Sequence, residues 1–361
     1  MNFSCPAALL ARAADLAKRC SAKYAPLDRV LLTPGPQLTI TSSAGLLSLR
    51  QTIDVPAHGP AVLVPADDFA RCAKLFSGEV VAKIDEKKAR FTLAAKPRRS
   101  EIQYTSDTSG APKMPTHDGE TREVYANALR VAIERVKHAA TTDAALSHMH
   151  GVRAEFIGDG VRAVAASNRG LTAHGALAGD PEAHVFLPMQ SLPLLSELLP
   201  DSGSVRVARS EGRAFFEGAG WLLSIAAPAS EYPAWRAYIP EARKARILVD
   251  AKALASELAV TLAGAEDKGD TSGRVHIALD AGTLRIRGES TEREAETELA
   301  VDSEPAGLRA KFSIAAPILL GALGALPPGD CSIGVDTELA PITVEPADKS
   351  SLSVLMPMRA E

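Results

Sequence analysis

Hydrophobic residues along the chain follow two spacings, which alternate in the same order three times. Near the N-terminus, a 3.6-residue spacing predicts one face of a helix, formed by Leu9, Ala13, Leu16 and Cys20. An alternating hairpin follows at residues 37–41 and 46–49, with a turn at Ser43-Ala44-Gly45. A second helical face carries Phe69, Cys72, Leu75 and Phe76. Three predicted strands complete the series, at residues 80–84, 90–94 and 101–105.

The same order then restarts twice. The two later helical stripes comprise Leu129, Ala132, Ile133, Val136 and Ala140, and then Leu254, Leu258 and Leu262. Hairpins follow them, with turns at Asp159-Gly160 and Asp280-Ala281-Gly282. The recurrence predicts three tandem domains, each large enough for its own core, at residues 1–120, 121–243 and 244–361. The fold class expected is α+β, with two helices packed on antiparallel sheets in each domain.

Composition narrows the class of protein. The 361 residues are 46% hydrophobic and 23% charged, which is typical of a globular protein. No apolar run is long enough for a membrane span, and the N-terminus lacks the pattern of a signal peptide. The four cysteines, Cys5, Cys20, Cys72 and Cys331, form no CxxC pair, which favours reduced thiols and disfavours a zinc site. We therefore expect a cytoplasmic protein with no membrane partner.

Charge and aromatic content restrict how the chain could bind nucleic acid. The formal net charge is −4, so only a segregated basic surface could attract DNA. Aromatic residues make up 4% of the chain, which disfavours the stacking platforms that bind single strands. Any DNA contact is therefore expected to be with the phosphates of a duplex.

Candidate catalytic and metal-binding patterns are few. His148-Met149-His150 would place two imidazoles on one side of a strand, but no further ligand follows at a suitable spacing. The chain has no Gly-x-Ser-x-Gly elbow, and no phosphate-binding glycine loop joins a strand to a helix. The alternating acids from Glu292 to Glu298 are typical of a solvated strand face. We expect no cofactor, no metal and no catalysis.

The last strand ends in a distinctive sequence, Ser353-Val354-Leu355-Met356-Pro357-Met358-Arg359. Proline cannot donate to a sheet, so Pro357 should end the strand or place it at an edge. Methionine side chains suit surfaces that accept varied apolar partners. Three further stretches are informative: residues 151–162, residues 186–199, and Tyr232-Pro233-Ala234-Trp235-Arg236 with Ile239-Pro240.

Together these four stretches resemble the bacterial DNA polymerase III beta subunit, the sliding clamp, and the resemblance covers nearly the whole chain. It implies a ring formed by a dimer, which encircles duplex DNA and tethers polymerase. It also implies a peptide-binding pocket between the second and third domains. The matching positions are Met149, Ala166, Arg169, Leu171, Pro233, Tyr238, Leu339, Pro341, Val354, Leu355, Met356, Pro357, Met358 and Arg359.

Two departures from the family pattern border this pocket. Clamps usually carry Thr-Asp-Gly-His-Arg-Leu where this chain has Ala166-Ser167-Asn168-Arg169-Gly170-Leu171. An Asn and a Tyr of the family are replaced here by Ser313 and Ala316. The departures leave open which peptide motifs the pocket accepts.

The resemblance also implies two further surfaces. Helices of the family face DNA, which gives as candidates Arg12, Lys18, Arg19, Lys23, Lys74, Arg130 and Lys137, with Arg71, Arg135, His138 and Lys252 beside them. Head-to-tail pairing of the first and third domains gives the dimer candidates Arg98, Arg99, Ile102, Leu262, Glu296 and Glu298. Basic and acidic edge strands would be complementary across such an interface.

The expected function is therefore a processivity factor. Its partners would be duplex DNA, a second copy of the chain, and DNA polymerase III and the clamp loader, both bound through short linear motifs. Two alternatives stay open: a diverged clamp-like scaffold that does not load on DNA, and a repeat-fold enzyme with a site between domains.

Overall fold

The computed structural model describes residues 1–241, 243–265, 273–290 and 293–359. Its first third contains eight strands and two helices. In chain order they are β1 (Asn2–Pro6), α1 (Ala7–Arg19), β2 (Arg29–Thr33), β3 (Leu38–Ser43), β4 (Leu47–Ile53), β5 (Val62–Pro65), α2 (Ala66–Ala73), β6 (Glu79–Asp85), β7 (Arg90–Ala95) and β8 (Arg98–Gln103).

The middle third has the same order of elements. It comprises β9 (Thr121–Tyr125), α3 (Ala126–Val136), β10 (Gly151–Ile157), β11 (Gly160–Ser167), β12 (Gly170–Gly175), β13 (Ala183–Pro188), α4 (Leu192–Leu198), β14 (Ser204–Ser210), β15 (Arg213–Gly218) and β16 (Trp221–Ala226). The predicted hairpin is present, but the left-handed residue of its turn is Gly158, with φ of 52°, in place of Gly160.

The last third repeats the order with one additional short strand. It comprises β17 (Ala245–Asp250), α5 (Ala251–Ala265), β18 (Arg274–Asp280), β19 (Thr283–Glu289), β20 (Glu294–Ala300), β21 (Asp302–Glu304), β22 (Ala310–Ala315), α6 (Ala316–Ala325), β23 (Asp330–Val335), β24 (Ile342–Pro346) and β25 (Ser351–Leu355). The α+β class is confirmed, whereas the division into three domains stays a prediction.

By contacts, the chain divides into two compact units. Unit 1 is Met1–Asn127 with Gln190–Pro228, and unit 2 is Ala128–Met189 with Ala229–Glu361. Unit 1 holds a four-stranded sheet, β1-β6-β7-β8, and an eight-stranded sheet, β5-β2-β3-β4-β16-β15-β14-β9. Unit 2 holds a nine-stranded sheet, β13-β10-β11-β12-β25-β24-β23-β17-β21, and a four-stranded sheet, β20-β19-β18-β22.

Each unit has a core between its helices and its sheets. In unit 1 the buried face of α1 carries Leu10, Ala13, Ala14 and Ala17, whereas Leu9 is 50% exposed. The predicted stripe was therefore wrong at Leu9 alone, whose place in the core is taken by Leu10; Ala13, Leu16 and Cys20 are buried as predicted. In unit 2 Leu254 and Leu258 are fully buried against strands of both sheets, and Leu262 packs partly buried beside them. None of the described helices is long and apolar enough to cross a membrane.

Candidate functional site

The outer face of the nine-stranded sheet carries a row of apolar side chains in unit 2. Ala166 of β11 lies opposite Leu171 of β12, and Leu171 lies opposite Val354 of β25. Directly opposed residues in an antiparallel pair point to the same face. Their exposed fractions are 6%, 4% and 3%, so these three predicted pocket residues form one continuous apolar cluster that is largely buried within the chain.

Leu355 lies on the other face of the same sheet. Successive side chains of a strand point to opposite faces, so Val354 and Leu355 cannot line one pocket together. Leu355 instead belongs to the core beneath the sheet. It also closes a cavity of about 360 Å³ between the loop 138–143 and the turn 167–170, which Arg169 borders. The predicted pocket set therefore divides between two sides of the sheet.

The C-terminal tail is held by main-chain hydrogen bonds on both sides of Pro357. The N–H of Met356 donates to the carbonyl of Arg169 at 2.9 Å, and the N–H of Met358 donates to the carbonyl of Ser313 at 2.7 Å. β25 ends at Leu355, as the proline predicts, but it lies inside the sheet and not at an edge. Met356 is 46% exposed and stands beside the apolar row.

Trp235 forms a wall next to this row. It is 3% exposed and packs in one cluster with Ala166, Leu171 and Val354, with Met149 against the same cluster. Its indole N–H donates to Glu155 Oε1 at 3.1 Å, and the guanidinium of Arg162 lies 5.3 Å from the ring centroid. The position of this wall is therefore fixed by buried polar groups.

Glu155 and Arg162 form a buried ion pair beneath Trp235. Both side chains are 0% exposed, and Arg162 Nη2 lies 2.6 Å from Glu155 Oε2. Burial alone would oppose ionisation, but hydrogen bonds from Trp235 and Arg162 outweigh it and hold the pKa of Glu155 below its usual range. Arg162 also donates to the carbonyl of Ala176 at 2.7 Å. Neither residue was singled out from the sequence, because only the tertiary contacts reveal the pair.

The remaining predicted pocket residues lie in loops and in the tail. Tyr238 and Leu339 are large apolar groups that are 64% and 57% exposed. Arg169 and Arg359 are exposed, whereas Met149, Pro233, Pro341, Pro357 and Met358 are half-buried. The expectation that His148-Met149-His150 lies on a strand was wrong, because these residues form a turn before β10. In the described part of the chain, no group of His, Cys, Asp or Glu could hold a metal.

The candidate DNA-facing residues of unit 1 are exposed, but most already have partners. Lys18 pairs with Asp67 at 2.7 Å, and Arg19 pairs with Glu197 at the same distance. Arg12 donates to the carbonyl of Glu197 at 3.2 Å. A hydrogen bond from Lys74 is the main cause that lowers the pKa of Asp15. Lys23 is exposed. Exposed pairs of this kind contribute little and are screened by salt, so a phosphate could replace the carboxylates.

The candidates on α3 and directly after it differ in their surroundings. Lys137 is exposed and pairs with Glu134, whereas Arg130 is half-buried. Arg135 donates to the carbonyl of Leu326 at 2.6 Å, just beyond the last residue of α6. A cation suits the carbonyls at a helix C-terminus, so Arg135 stabilises the packing of α3 on α6.

The two strands predicted to pair in a dimer are edge strands of the two four-stranded sheets. On β8, Arg98 donates to the carbonyl of Leu75, and Arg99 pairs with Glu101 at 2.6 Å. On β20, Glu296 and Glu298 pair with Arg285 of β19 at 3.2 and 2.7 Å. The predicted charges therefore have partners within the chain, and unpaired main-chain groups are what the two edges offer.

Two apolar dimer candidates face inwards. Ile102 is 2% exposed and belongs to the core of unit 1. Leu262 is partly buried against the core of unit 2. A dimer that used these strands would be held by their backbones and not by these two side chains.

Comparison with solved structures shows the fold. The chain is 20% identical to the DNA polymerase III subunit beta of Pseudomonas aeruginosa, over 99% of this chain and 100% of that one, with a TM-score of 0.90. It is 17% identical to the DNA polymerase sliding clamp of Bacillus subtilis, with complete coverage of both chains and a TM-score of 0.90. The beta subunit of Thermotoga maritima gives 18% identity, complete coverage of both chains and a TM-score of 0.89. No protein-family model matches the chain.

Proposed function

We propose that the protein is a DNA sliding clamp: a non-catalytic, cytoplasmic processivity factor that encircles duplex DNA as a head-to-tail dimer. The observation that carries the proposal is the likeness to beta subunits over the whole length of both chains. A ring accelerates synthesis by raising the local concentration of a tethered polymerase, without chemistry of its own.

The proposed peptide site is the surface of Ala166, Leu171 and Val354, with Trp235 behind it and Met356 at its rim. It would bind short linear motifs of DNA polymerase III and the clamp loader through one or two large apolar anchors. Binding energy in such sites concentrates in a few buried groups. The two hydrogen bonds of the tail support the proposal, because they fix the backbone of the exposed Met356 beside the apolar row.

The dimer proposal rests on the exposed main-chain edges of β8 and β20. Backbone pairing of two edges would extend one sheet into the other and protect both from uncontrolled association. Three domains per chain, at residues 1–120, 121–243 and 244–361, would give the ring a sixfold repeat of similar units. Superposition of the three segments tests that division, and different strand orders in any two would rule it out.

Charge reversal tests the dimer. Replacement of Arg98 and Arg99 by Glu removes the bond to the Leu75 carbonyl and distorts β8 at the edge, so the measured mass in solution should shift from twice the chain mass toward the monomer. Reversal of Arg206 and Arg209, which lie exposed on the internal strand β14, is the matched control and should leave the mass unchanged. Equal masses for both variants would contradict the assignment of the edge.

A second candidate function is a clamp-like scaffold that does not load on DNA. The in-chain partners of Arg12, Lys18, Arg19, Lys74 and Lys137 favour it, because they reduce the charge available to phosphates. The distinguishing experiment is primer extension with the loader and polymerase of the same cell. A clamp lengthens the DNA products that the polymerase makes in one binding event. The Val354→Asp variant, which disrupts the proposed peptide site, should leave product length unchanged. A scaffold leaves product length unchanged in both cases.

A further inference from the structure

A short basic run, Arg243-Lys244-Ala245-Arg246, leads from the linker into β17. Its three cations are called the basic strip below. Arg246 lies opposite Gly334 of β23, Gly334 lies opposite Thr343 of β24, and Thr343 lies opposite Val354. Because opposed residues share a face, this register places Arg246 on the same outer face as the apolar row. Lys244 is exposed in the bend just before β17.

The side chain of Arg243 packs against the backbone of Gly334 on this face. A Cβ at Gly334 would be 2.6 Å from Arg243 Cγ and 2.3 Å from Thr343 Oγ1. The stem of Arg243 therefore occupies the space that any other side chain at position 334 would take. This contact fixes the stem of Arg243 over β23, two strands away from Val354, whereas Arg246 on β17 lies three strands away.

The guanidinium of Arg243 is incompletely paired. Its side chain is 7% exposed, and Nη1 lies 3.1 Å from Asp336 Oδ2. Nε and Nη2 are buried without a hydrogen-bond partner in the described part of the chain. A buried donor without an acceptor destabilises a protein, so an acceptor from a ligand would relieve a cost that the free protein bears.

Several carboxylates lie near the strip, but few of them bond to it. Asp336 accepts both from Arg243 and, at 2.8 Å, from the N–H of Lys244. Glu304 of β21 lies opposite Arg246, but no ion pair joins the two side chains. Glu338 lies near Lys311 at 3.9 Å. The same register places Asp302 and Glu345 on this face, two residues along from Glu304 and Thr343. Of these carboxylates, Asp336 alone is hydrogen-bonded to the strip.

We propose that the basic strip is an acid-binding extension of the peptide site, which selects peptides with a carboxylate three or four residues from the apolar anchor; the inference rests on the function proposed above. Neighbouring strands lie about 4.8 Å apart, so β23 and β17 lie roughly 10 and 14 Å from Val354. An extended peptide that crosses the strands advances about 3.3 Å per residue. Three or four residues therefore span the distance from the anchor to the strip.

The ligand class is thus an extended peptide with one apolar anchor and one or two Asp or Glu residues. A carboxylate that reached Arg243 would form charge-assisted hydrogen bonds, which are roughly twice as strong as neutral ones. Arg243 gives up a single ion pair to Asp336 when it turns toward such a ligand. The exposed Lys244 and Arg246 would add attraction that weakens with salt.

Labelled decapeptides test the proposal by fluorescence anisotropy. Each carries a Leu-Phe anchor and either Asp-Asp or Asn-Asn three and four residues away, on the N-terminal side in one pair and the C-terminal side in the other. The intact protein should bind one Asp peptide about tenfold more tightly than its Asn partner, which corresponds to about 1.4 kcal/mol. The preference should shrink as salt rises. Equal affinity for Asp and Asn peptides in both pairs would overturn the strip but leave the apolar site standing.

Three variants sharpen the result. Arg243→Gln should reduce the preference to less than twofold while leaving Asn-peptide affinity unchanged. Arg246→Gln, the matched loss of a cation one strand farther away, should reduce it less. Asp336→Asn should raise it, because the competing carboxylate is gone. Failure of every peptide to bind would overturn both the apolar site and the strip, and an unchanged preference in Arg243→Gln would overturn the strip alone.

Discussion

Two strand junctions, one in each unit, have the same backbone geometry and opposite side-chain chemistry. In unit 1 the N–H of Ala226 donates to the carbonyl of Leu46 at 2.8 Å, where β16 joins β4. In unit 2 the N–H of Met356 donates to the carbonyl of Arg169 at 2.9 Å, where β25 joins β12. In this correspondence Ser48 and Ser224 stand where unit 2 has Leu171 and Val354.

The unit 1 junction is closed by polar groups. Ser43 and Ser48 share a hydroxyl hydrogen bond of 2.7 Å, and Arg213 donates to Ser224 at 2.7 Å and to the Gly45 carbonyl at 2.9 Å. The unit 2 junction has no such bonds among Ala166, Leu171 and Val354, and Pro341, which has no side-chain donor, stands where unit 1 has Arg213. The two junctions therefore share one backbone arrangement, and only the junction of unit 2 carries apolar side chains on it.

The largest effect is expected from the buried ion pair that supports the unit 2 junction. Arg162→Met removes the fully buried partner of Glu155 and leaves only Arg153, 2.8 Å from Oε1, to balance its charge, so the free energy of unfolding should fall by about 3 kcal/mol. Arg213→Met at the unit 1 junction removes bonds to neutral acceptors and should cost about 1–3 kcal/mol. Urea denaturation measures both variants. A larger loss for Arg213→Met would mean that the polar junction, and not the ion pair, carries the stability.

One substitution at Val354 should make the apolar junction of unit 2 resemble the polar junction of unit 1. Val354→Ser introduces the residue found at the matching position of unit 1, and loses an apolar contact worth about 1.5–3 kcal/mol. Affinity for a peptide with an apolar anchor should fall about tenfold or more in calorimetric titration. The reverse change, Ser224→Val, is the control and should leave peptide affinity intact. Unchanged affinity in Val354→Ser would place the peptide elsewhere.

The two junctions show which parts of the structure could be predicted from the sequence. The hairpins and the strand end at Pro357 were predicted correctly, because each depends on local spacing or on one residue type. The edge positions of β8 and β20 were also predicted correctly, but from the family resemblance. The pairing of β4 with β16 and of β12 with β25 was not predicted, because partners more than 150 residues apart leave no local pattern. The Glu155–Arg162 pair and its bond to Trp235 were missed for the same reason.

A smaller difference between the two junctions is expected in how the stability of the protein depends on pH. His174 of β12 corresponds to Gln51 of β4, which donates to the Ala13 carbonyl. Burial, and then the nearby Arg135, lower the pKa of His174 below its usual 6.5, although Asp348 opposes the shift. The unfolded state therefore binds the proton more readily, so this contribution to stability is complete above pH 6.5 and is lost as pH falls toward the folded pKa.

His174→Gln, which copies the unit 1 residue, should make the stability of the protein less dependent on pH below 6.5. Denaturant unfolding at several pH values between about 5 and 8 measures the slope. His58→Gln provides a control at a histidine outside the junction. A slope equal to that of the unmodified protein would show that His174 titrates alike in both states.

The smallest effect on stability is expected on the exposed helices of unit 1. Replacement of Lys18, Arg19 and Lys74 by Ala removes surface pairs, each contributing about 0–1 kcal/mol. Binding to a short linear duplex should weaken, and the salt dependence of that binding should flatten by roughly one unit of slope for each lost phosphate contact. Removal of Lys311, Lys349 and Arg309 is a charge-matched control in unit 2. An equal loss in the control would mean that the attraction is not confined to these helices.

Topological retention on DNA tests the central claim most directly. The protein is incubated with its own loader, ATP and a nicked circular plasmid, and the plasmid is separated from free protein by gel filtration in high salt. A clamp should elute with the circular plasmid and should be released when a restriction enzyme linearises it, because a ring slides off an end. Equal retention on circular and linear DNA, or none on either, would contradict the proposal that the protein encircles DNA.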